Sequence, residues 1–379
     1  MWLASSPTGR VFSNNLTMIE RDPLAQHDVH GPWEHQGLTA QYTLYNTATS
    51  LLHSEFGAEG ITNRKTLDVT VSENARWPVT LDNPIWFHRA AWWVKAPRWR
   101  ESLGEVSDLD TLLHGTQYLQ AEGVRYALEA NRRRTFQNSG SLPWQFNEPY
   151  PMAACTSAVD YFGHPKPLYH AVARAYAPVL VAASFPAQSW ADRDTFEAEI
   201  WCTSSGTAAV DGMLHTRLIG LDGTLYAEHQ AEITLPANAV TPCISFRAAS
   251  GSLPELFFLD IALQGADVAA NNRYLFTLQP DLSSALRQPH TTIAARDVNR
   301  DAGPDQWHVT LHNPTDHAAL MLWLEDARSR GTIGWPYVSD NYFCLLPDET
   351  RRIVVTWHRI PPEERELTLS GWNIAPMRI

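Results

Sequence analysis

Hydrophobic positions divide this chain of 379 residues into regions of different period. In the first part, short apolar runs alternate with longer mixed segments. Trp2-Leu3-Ala4 and Leu51-Leu52-His53 predict two brief buried strands. Residues 8–35 between them are rich in Asn, Asp, His and Pro, and loops of that length are uncommon unless they serve a function. Residues 36–50 predict a connecting helical stretch. Leu109, Leu112, Leu113, Thr116, Leu119 and Val124 recur at three- and four-residue steps, which predicts a helix within 106–137. It ends on Arg132-Arg133-Arg134, which suits a helix C-terminus, although the preferred reading of the triplet is a solvated charge run. Leu142 to Phe146 predicts a further strand, with Trp144 and Asn147 at its C-terminal end. After Pro178 the period shortens to that of strands. Val179–Phe185, Thr195–Trp201, Met213–Leu218, Ala231–Leu235, Glu255–Leu263 and Asn272–Leu278 form one set, punctuated by Gly and Asn. Residues 280–289 resemble a linker. A second set follows at Thr291–Arg296, Gln306–Asn313, Ala319–Glu325, Arg351–Trp357 and Leu367–Leu369. The expected architecture is α/β over 1–178, then two all-β domains over 179–283 and 284–379.

Composition narrows the chemistry. Hydrophobic residues make up 44% and charged residues 18%, ordinary values for a folded protein. The net charge of −12 argues against a nucleic-acid partner, which needs clustered Lys and Arg. No apolar run reaches the length of a spanning helix, so no membrane partner is expected. The N-terminus lacks a basic region followed by an apolar stretch, so no signal peptide is visible, and the reading leans to the cytoplasm. Cys155, Cys202, Cys243 and Cys344 are far apart in sequence and form no Cys-x-x-Cys pair, so neither a metal nor a redox motif is expected. No Ser-His-Asp order, Gly-rich phosphate loop or metal-spaced cluster appears, so esterase, kinase and metallohydrolase readings have nothing to stand on, and no cofactor is expected.

Leu51-Leu52-His53-Ser54-Glu55-Phe56-Gly57 runs from an apolar strand into one carboxylate, and a glycine then lets the chain turn away. Glu55 could cap a following helix or meet an arginine. In a chain with 15 tryptophans it also suits sugar chemistry, because aromatic faces are what pyranose rings stack on. Trp77, Trp86, Trp92, Trp93 and Trp99, within 61–105, belong either to a lid over a cleft or to a loop packing its own aromatics.

Ser54-Glu55-Phe56-Gly57 resembles the nucleophile motif of family 2 glycoside hydrolases, in particular their β-mannosidase-like branch. Met1 to Gly9, with its Ser-Ser-Pro turn, is similar to that branch's preceding barrel strand. Asp28-Val29-His30 with Trp33 is similar to the next strand and loop. Gly140 to Pro151 resembles the last barrel strand, and Asp160 to Lys166 with Ala175-Tyr176-Ala177-Pro178 resembles the segment leaving it. Ser339-Asp340-Asn341-Tyr342-Phe343 and Gly371-Trp372-Asn373 resemble the C-terminal sandwich. The motifs keep the family's order over nearly the whole chain. The resemblance implies the C-terminal part of a (β/α)8 TIM barrel over 1–178, followed by two immunoglobulin-like β-sandwiches.

It further implies a retaining β-glycosidase acting on a β-linked oligosaccharide or glycoside. Glu55 would be the nucleophile, and Trp144, Asn147, His30 and Trp33 would bind substrate. The family's proton-donating glutamate lies on an earlier strand that has no counterpart here. Asn147-Glu148-Pro149 imitates its signature but follows the nucleophile instead of preceding it, and Glu59 lies too close to Glu55 to serve from another strand. An N-terminal half-enzyme chain or self-association is therefore an expected partner. The alternative is a non-catalytic truncated relic or a carbohydrate-binding protein.

Overall fold

The computed structural model describes residues 28–329 and 332–379. The strand expected at Trp2-Leu3-Ala4 and the Ser-Ser-Pro turn lie outside the described residues. These residues form two compact units: residues through Leu218 with Tyr226–Ser283, and Ile219–Leu225 with Ser284–Ile379.

The first unit opens with β1 (Asp28–His30), α1 (Ala40–Thr47), β2 (Leu52–Phe56) and the short β3 (Gly60–Ile61). Three helices follow, α2 (Arg64–Thr70), α3 (Pro84–Ala90) and α4 (Ala96–Leu103), and then the long α5 (Leu109–Arg133). β4 (Ser141–Pro143), β5 (Ala154–Cys155) and α6 (Pro167–Ala175) complete this part. β1, β2 and β4 form a parallel sheet in that order, and β3 pairs with β5 antiparallel. Parallel neighbours need a crossover between them; α1 supplies one and the run from α2 to α5 the other. Asp108 caps α5 by accepting from the Thr111 amide at 2.8 Å.

Two expectations change here. Asp28–His30, placed by the residue pattern inside a long loop, is a strand, because Val29 is a single buried position in a three-residue pairing too short to show a period. The tryptophan-rich 61–105 is largely helical, with Trp86 and Trp99 buried as core and Trp92 left exposed.

The all-β part of this unit has β6 (Val179–Ser184), β7 (Thr195–Ser204), β8 (Val210–Gly220), β9 (Leu225–Leu235), β10 (Ala239–Ala249), β11 (Leu256–Gln264) and β12 (Ala269–Thr277). They make two sheets, β10-β7-β6 and β12-β11-β8-β9. Alternate residues of each turn into one core, including Phe196, Ile200, Leu214, Phe257, Leu259 and Phe276. The same cluster continues into Val29, Tyr42, Phe56, Val124 and Leu128. A polar junction accompanies it. Arg125 of α5 donates to Asn272 Oδ1 (2.9 Å) and the Arg273 carbonyl (3.0 Å) on β12, and Tyr274 donates to Glu129 Oε2 at 2.7 Å.

α7 (Ser283–Leu286) lies within the expected linker and falls, but for Ser283, in the second unit, which holds a further sandwich. Its strands are β13 (Ala294–Gly303), β14 (Gln306–His312), β15 (Ala319–Asp326), β16 (Trp335–Val338), β17 (Phe343–Leu345), β18 (Thr350–His358), β19 (Leu367–Gly371) and β20 (Ile374–Arg378). The sheets are β13-β14-β18-β16 and β17-β15-β19-β20. Trp307, Val309, Leu322, Leu324, Val355, Trp357 and Leu369 fill the space between them.

Candidate functional site

The site begins with the register of three parallel strands. Pairing of β1 with β2 runs Asp28↔Leu52 and Val29↔His53, then slips so that His30 faces Glu55. Such an irregularity re-aims side chains near a strand end. The strand extends further than the apolar pair suggested, so Glu55 sits inside its last turn of pleat, with Phe56 fully buried behind it. Three backbone bonds lock this end: Gly31 N–H donates to the Glu55 carbonyl (2.6 Å), Gly57 N–H to the Pro32 carbonyl (2.8 Å), and Trp144 N–H to the Phe56 carbonyl (2.7 Å). Gly57 is required here, since a Cβ at that position would overlap the Trp144 carbonyl oxygen.

A relay of polar groups lies along this edge. Asp28 accepts from the Ser54 amide (3.0 Å) and from the Ser54 hydroxyl (2.6 Å). With its proton given to Asp28, the Ser54 oxygen is left to accept from His30 Nδ1 at 3.3 Å. His30 Nε2 then faces Glu55 Oε2 at 3.3 Å. Both side chains are partly open to solvent, 45% for His30 and 33% for Glu55, so a ligand can reach the carboxylate. The aromatic walls are Trp33, edge-on to His30 at 5.1 Å, and Trp144, against Trp93 at 5.9 Å. Sequence reasoning left Trp93 among the undecided aromatics; its signal was only its membership of a Trp-rich segment. The Trp93 amide donates to the Ala90 carbonyl at the end of α3 (2.8 Å), and Arg89 of that helix donates to the Pro151 carbonyl at 2.8 Å. Asn147 is exposed, and its amide donates to its own neighbour's carbonyl at 3.5 Å.

Behind the strand end, His53 was not foreseen as anything but a strand residue. It is buried, donates from Nε2 to the Gly31 carbonyl at 3.0 Å, accepts from the Asn131 side-chain amide at Nδ1 (3.2 Å), and stacks on Phe56. Burial lowers its pKa to about 4, so it stays neutral and anchors the turn carrying His30.

The other carboxylates near this region are committed elsewhere. Glu148 is buried and accepts from Ser157 Oγ (3.1 Å), Tyr161 N–H (3.2 Å) and Met152 N–H (3.3 Å), so it ties its own loop together. Burial pushes its pKa up, against the opposing pull of buried Lys166. Glu59 is also buried. It accepts from Trp99 Nε1 (2.7 Å) and His35 N–H (3.1 Å), and burial pushes its pKa up to about 7. Among the described residues no group of His, Cys, Asp and Glu could hold a metal ion, and no helix is long and apolar enough to cross a membrane.

Comparison with known proteins gives the following. Residues 197–279 match the "Mannosidase Ig/CBM-like domain" family, and residues 281–374 the "Exo-beta-D-glucosaminidase Ig-fold domain" family. Beta-mannosidase B of Aspergillus niger is 29% identical over 215 residues, which is 54% of this chain and 25% of that protein. Beta-mannosidase B of Emericella nidulans is 28% identical over 239 residues, 59% of this chain and 28% of the relative. The matched region thus spans about a quarter of these relatives' length. Among solved structures, a β-D-mannosidase from Dictyoglomus thermophilum superposes with a TM-score of 0.73 at 18% identity, over 92% of this chain and 40% of that one. The exo-chitosanase CsxA of Amycolatopsis orientalis superposes at 0.75 and 17% identity, over 92% and 45%. At these identities the superpositions speak for the fold.

Proposed function

The immunoglobulin-like domains over 197–279 and 281–374 are those of family 2 glycoside hydrolases of the mannosidase and exo-glucosaminidase type, and from that premise we propose that this chain is the C-terminal portion of a retaining β-mannosidase-like enzyme. Residues 1–178 would supply the last strands of a (β/α)8 barrel, and 179–283 and 284–379 its two sandwiches. The parallel order β1-β2-β4 with helical crossovers supports the barrel reading. The observation that carries the function is Glu55, which lies at the C-terminal end of the central parallel strand, solvent-reachable, with His30 of the neighbouring strand against it. Barrel enzymes carry their catalytic groups at that end of the strands.

In this reading Glu55 attacks the anomeric carbon of a β-glycoside and forms a covalent glycosyl-enzyme, which water then hydrolyses. His30 steadies the carboxylate and, with Asn147, offers hydrogen bonds to sugar hydroxyls. Trp144, braced by Trp93, and Trp33 provide apolar walls for the ring. A retaining mechanism needs a second carboxyl group roughly 5–5.5 Å from the first. Among the described residues Glu59 and Glu148 are spent on internal hydrogen bonds, which favours the reading in which an N-terminal half-enzyme partner supplies the proton donor. The same chain, or a second copy of this one, would cover the sheet edge that a partial barrel leaves unpaired. The commitment of both carboxylates equally favours the second reading, a sugar-binding protein without turnover.

The test is intact mass after incubation with activated 2-deoxy-2-fluoro β-glycosides, beginning with the mannoside. These reagents carry good leaving groups and need the nucleophile far more than the acid. One added glycosyl group that disappears in Glu55→Gln is the expected result. A folded chain that no such glycoside labels, alone or mixed with the N-terminal half of a related β-mannosidase, would sink the proposal for Glu55.

A further inference from the structure

Cys202 and Cys243 are forty-odd positions apart in sequence and adjacent in the fold. β7 and β10 are hydrogen-bonded neighbours, pairing Thr241↔Cys202 and Pro242↔Trp201, after which the register jumps to Ile244↔Ile200. Cys243 is the extra residue of that bulge. A bulged residue is unpaired and its side chain is redirected. Here Cys243 packs against the same sandwich core in which Cys202 is fully buried. Its thiol donates to the Thr241 carbonyl at 3.4 Å. The Cys202 thiol and amide also lie against its sulfur; the thiol contact, first, and the amide hold Cys243 below the usual thiol range. The reciprocal contact, and then burial, push the Cys202 thiol up. β10 is the edge strand of its sheet and Cys243 is only half-buried, so a small reagent reaches this sulfur first.

We propose that Cys202 and Cys243 form a reversible cross-strand disulfide, made at the expense of a small-molecule disulfide such as oxidised glutathione. The Cys243 thiolate attacks one sulfur of oxidised glutathione; the S–S bond breaks, and one glutathione leaves and takes up a proton. The Cys202 thiolate then attacks Cys243 Sγ in the mixed disulfide, and the second glutathione departs in the same way. Two protein thiols lose two electrons and two protons, and one glutathione disulfide becomes two glutathione thiols. The pairing of a reachable, lower-pKa thiol with a buried resolving thiol is what such exchange requires. Once formed, the bond fastens β10 to β7 across the bulge, where ladder pairing is interrupted. Cys155, fully buried on β5, and Cys344 of the second unit serve as internal comparisons.

The experiment treats the native full chain with oxidised glutathione at mildly alkaline pH and maps peptides without reduction. The expected product has lost two hydrogens in intact mass, contains a Cys202–Cys243 linked peptide, and unfolds at a higher temperature than the reduced chain. Cys202→Ser should stop at a glutathione adduct on Cys243, and Cys243→Ser should give no linked peptide and leave Cys202 unmodified. Cys202→Ala and Cys243→Ala repeat the comparison should a hydroxyl in the core unfold the protein. A stable glutathione adduct on Cys243 of the unsubstituted chain, linkage involving Cys155 or Cys344 instead, or linkage that forms only in denaturant would each overturn the proposal.

Discussion

Glu59 makes the protein's stability depend on pH in a direction opposite to that of most paired carboxylates. Its side chain is 1% exposed, and both oxygens accept hydrogen bonds, from Trp99 Nε1 and from His35 N–H. Burial nevertheless dominates and raises its pKa from 4.5 to about 7. Between those values the folded chain keeps a proton that the unfolded chain has released. Stability must then fall as pH rises, by about 1.4 kcal/mol for each pH unit and about 3 kcal/mol across the interval. His35, in the same cluster, works the other way. It is buried and neutral down to about pH 3, while an unfolded histidine takes up its proton near 6.5. Its contribution is therefore present above 6.5 and is lost as pH falls toward 3. Over pH 4.5–6.5 the two nearly cancel, which hides both in the unsubstituted chain. Glu59→Gln removes one of them. Urea unfolding of wild type and variant at a series of pH values isolates the effect, because the other titrating groups are common to both. The stability of wild type relative to Glu59→Gln should drop by about 3 kcal/mol from pH 4.5 to pH 7 and stay level above it. The glutamine also cannot accept both hydrogen bonds, so the variant is offset by a constant; only the slope matters. Parallel curves would mean that Glu59 is ionised in the folded state across this range, and that its hydrogen bonds outweigh burial.

Two substitutions test separate structural readings. Gly57→Ala forces a methyl against the Trp144 carbonyl, so the β2–β4 junction must shift, at a cost of about 1–3 kcal/mol in unfolding experiments. A neutral result would show that Gly57 is not needed for the close approach. Asn341→Ala deletes a side chain that accepts from Leu324 N–H (2.7 Å) and donates to its carbonyl (2.8 Å), in place of a partner strand. With both backbone groups left buried and unpaired, thermal unfolding of the second unit should report a loss of about 2–4 kcal/mol; a change under about half a kcal/mol would refute that role.

Three of the strands that the sequence pattern missed share a physical cause. β10, β16 and β20 contain Pro242, Pro336 and Pro376, and each is an edge strand of its sheet. Proline breaks the alternation by which strands are recognised, yet an edge strand can turn that missing N–H away from its one neighbour. β17, at three residues, is too short to carry a period. The long α5 was legible because its apolar face repeats over seven turns and Arg132-Arg133-Arg134 end it. These arginines are not the solvated charge run expected of them. Arg132 donates to the carbonyls of Ala175 and Ala177, Arg133 to that of Ala183, and Arg134 to those of Ala48 and Ser50. Their contacts are with backbone that no sequence spacing reveals.

The candidate site was legible for a different reason: its chemistry is concentrated in four consecutive residues, each with its own geometric duty. Ser54 binds Asp28 and accepts from His30, Glu55 faces His30, Phe56 fills the core and receives the Trp144 amide, and Gly57 leaves room for the Trp144 carbonyl. Strand alternation sends Glu55 and Phe56 to opposite sides, so one run of sequence specifies both the reachable carboxylate and its buried support. Asp28, His53 and Trp93 could not be found in this way, because they act through register and packing across elements. His53 shows why that matters. A histidine on an apolar strand next to a carboxylate invites a catalytic role, but the fold stacks it on Phe56, bonds it to Gly31 and keeps it neutral. The histidine that meets Glu55 comes from the neighbouring strand, delivered there by a one-residue slip in pairing.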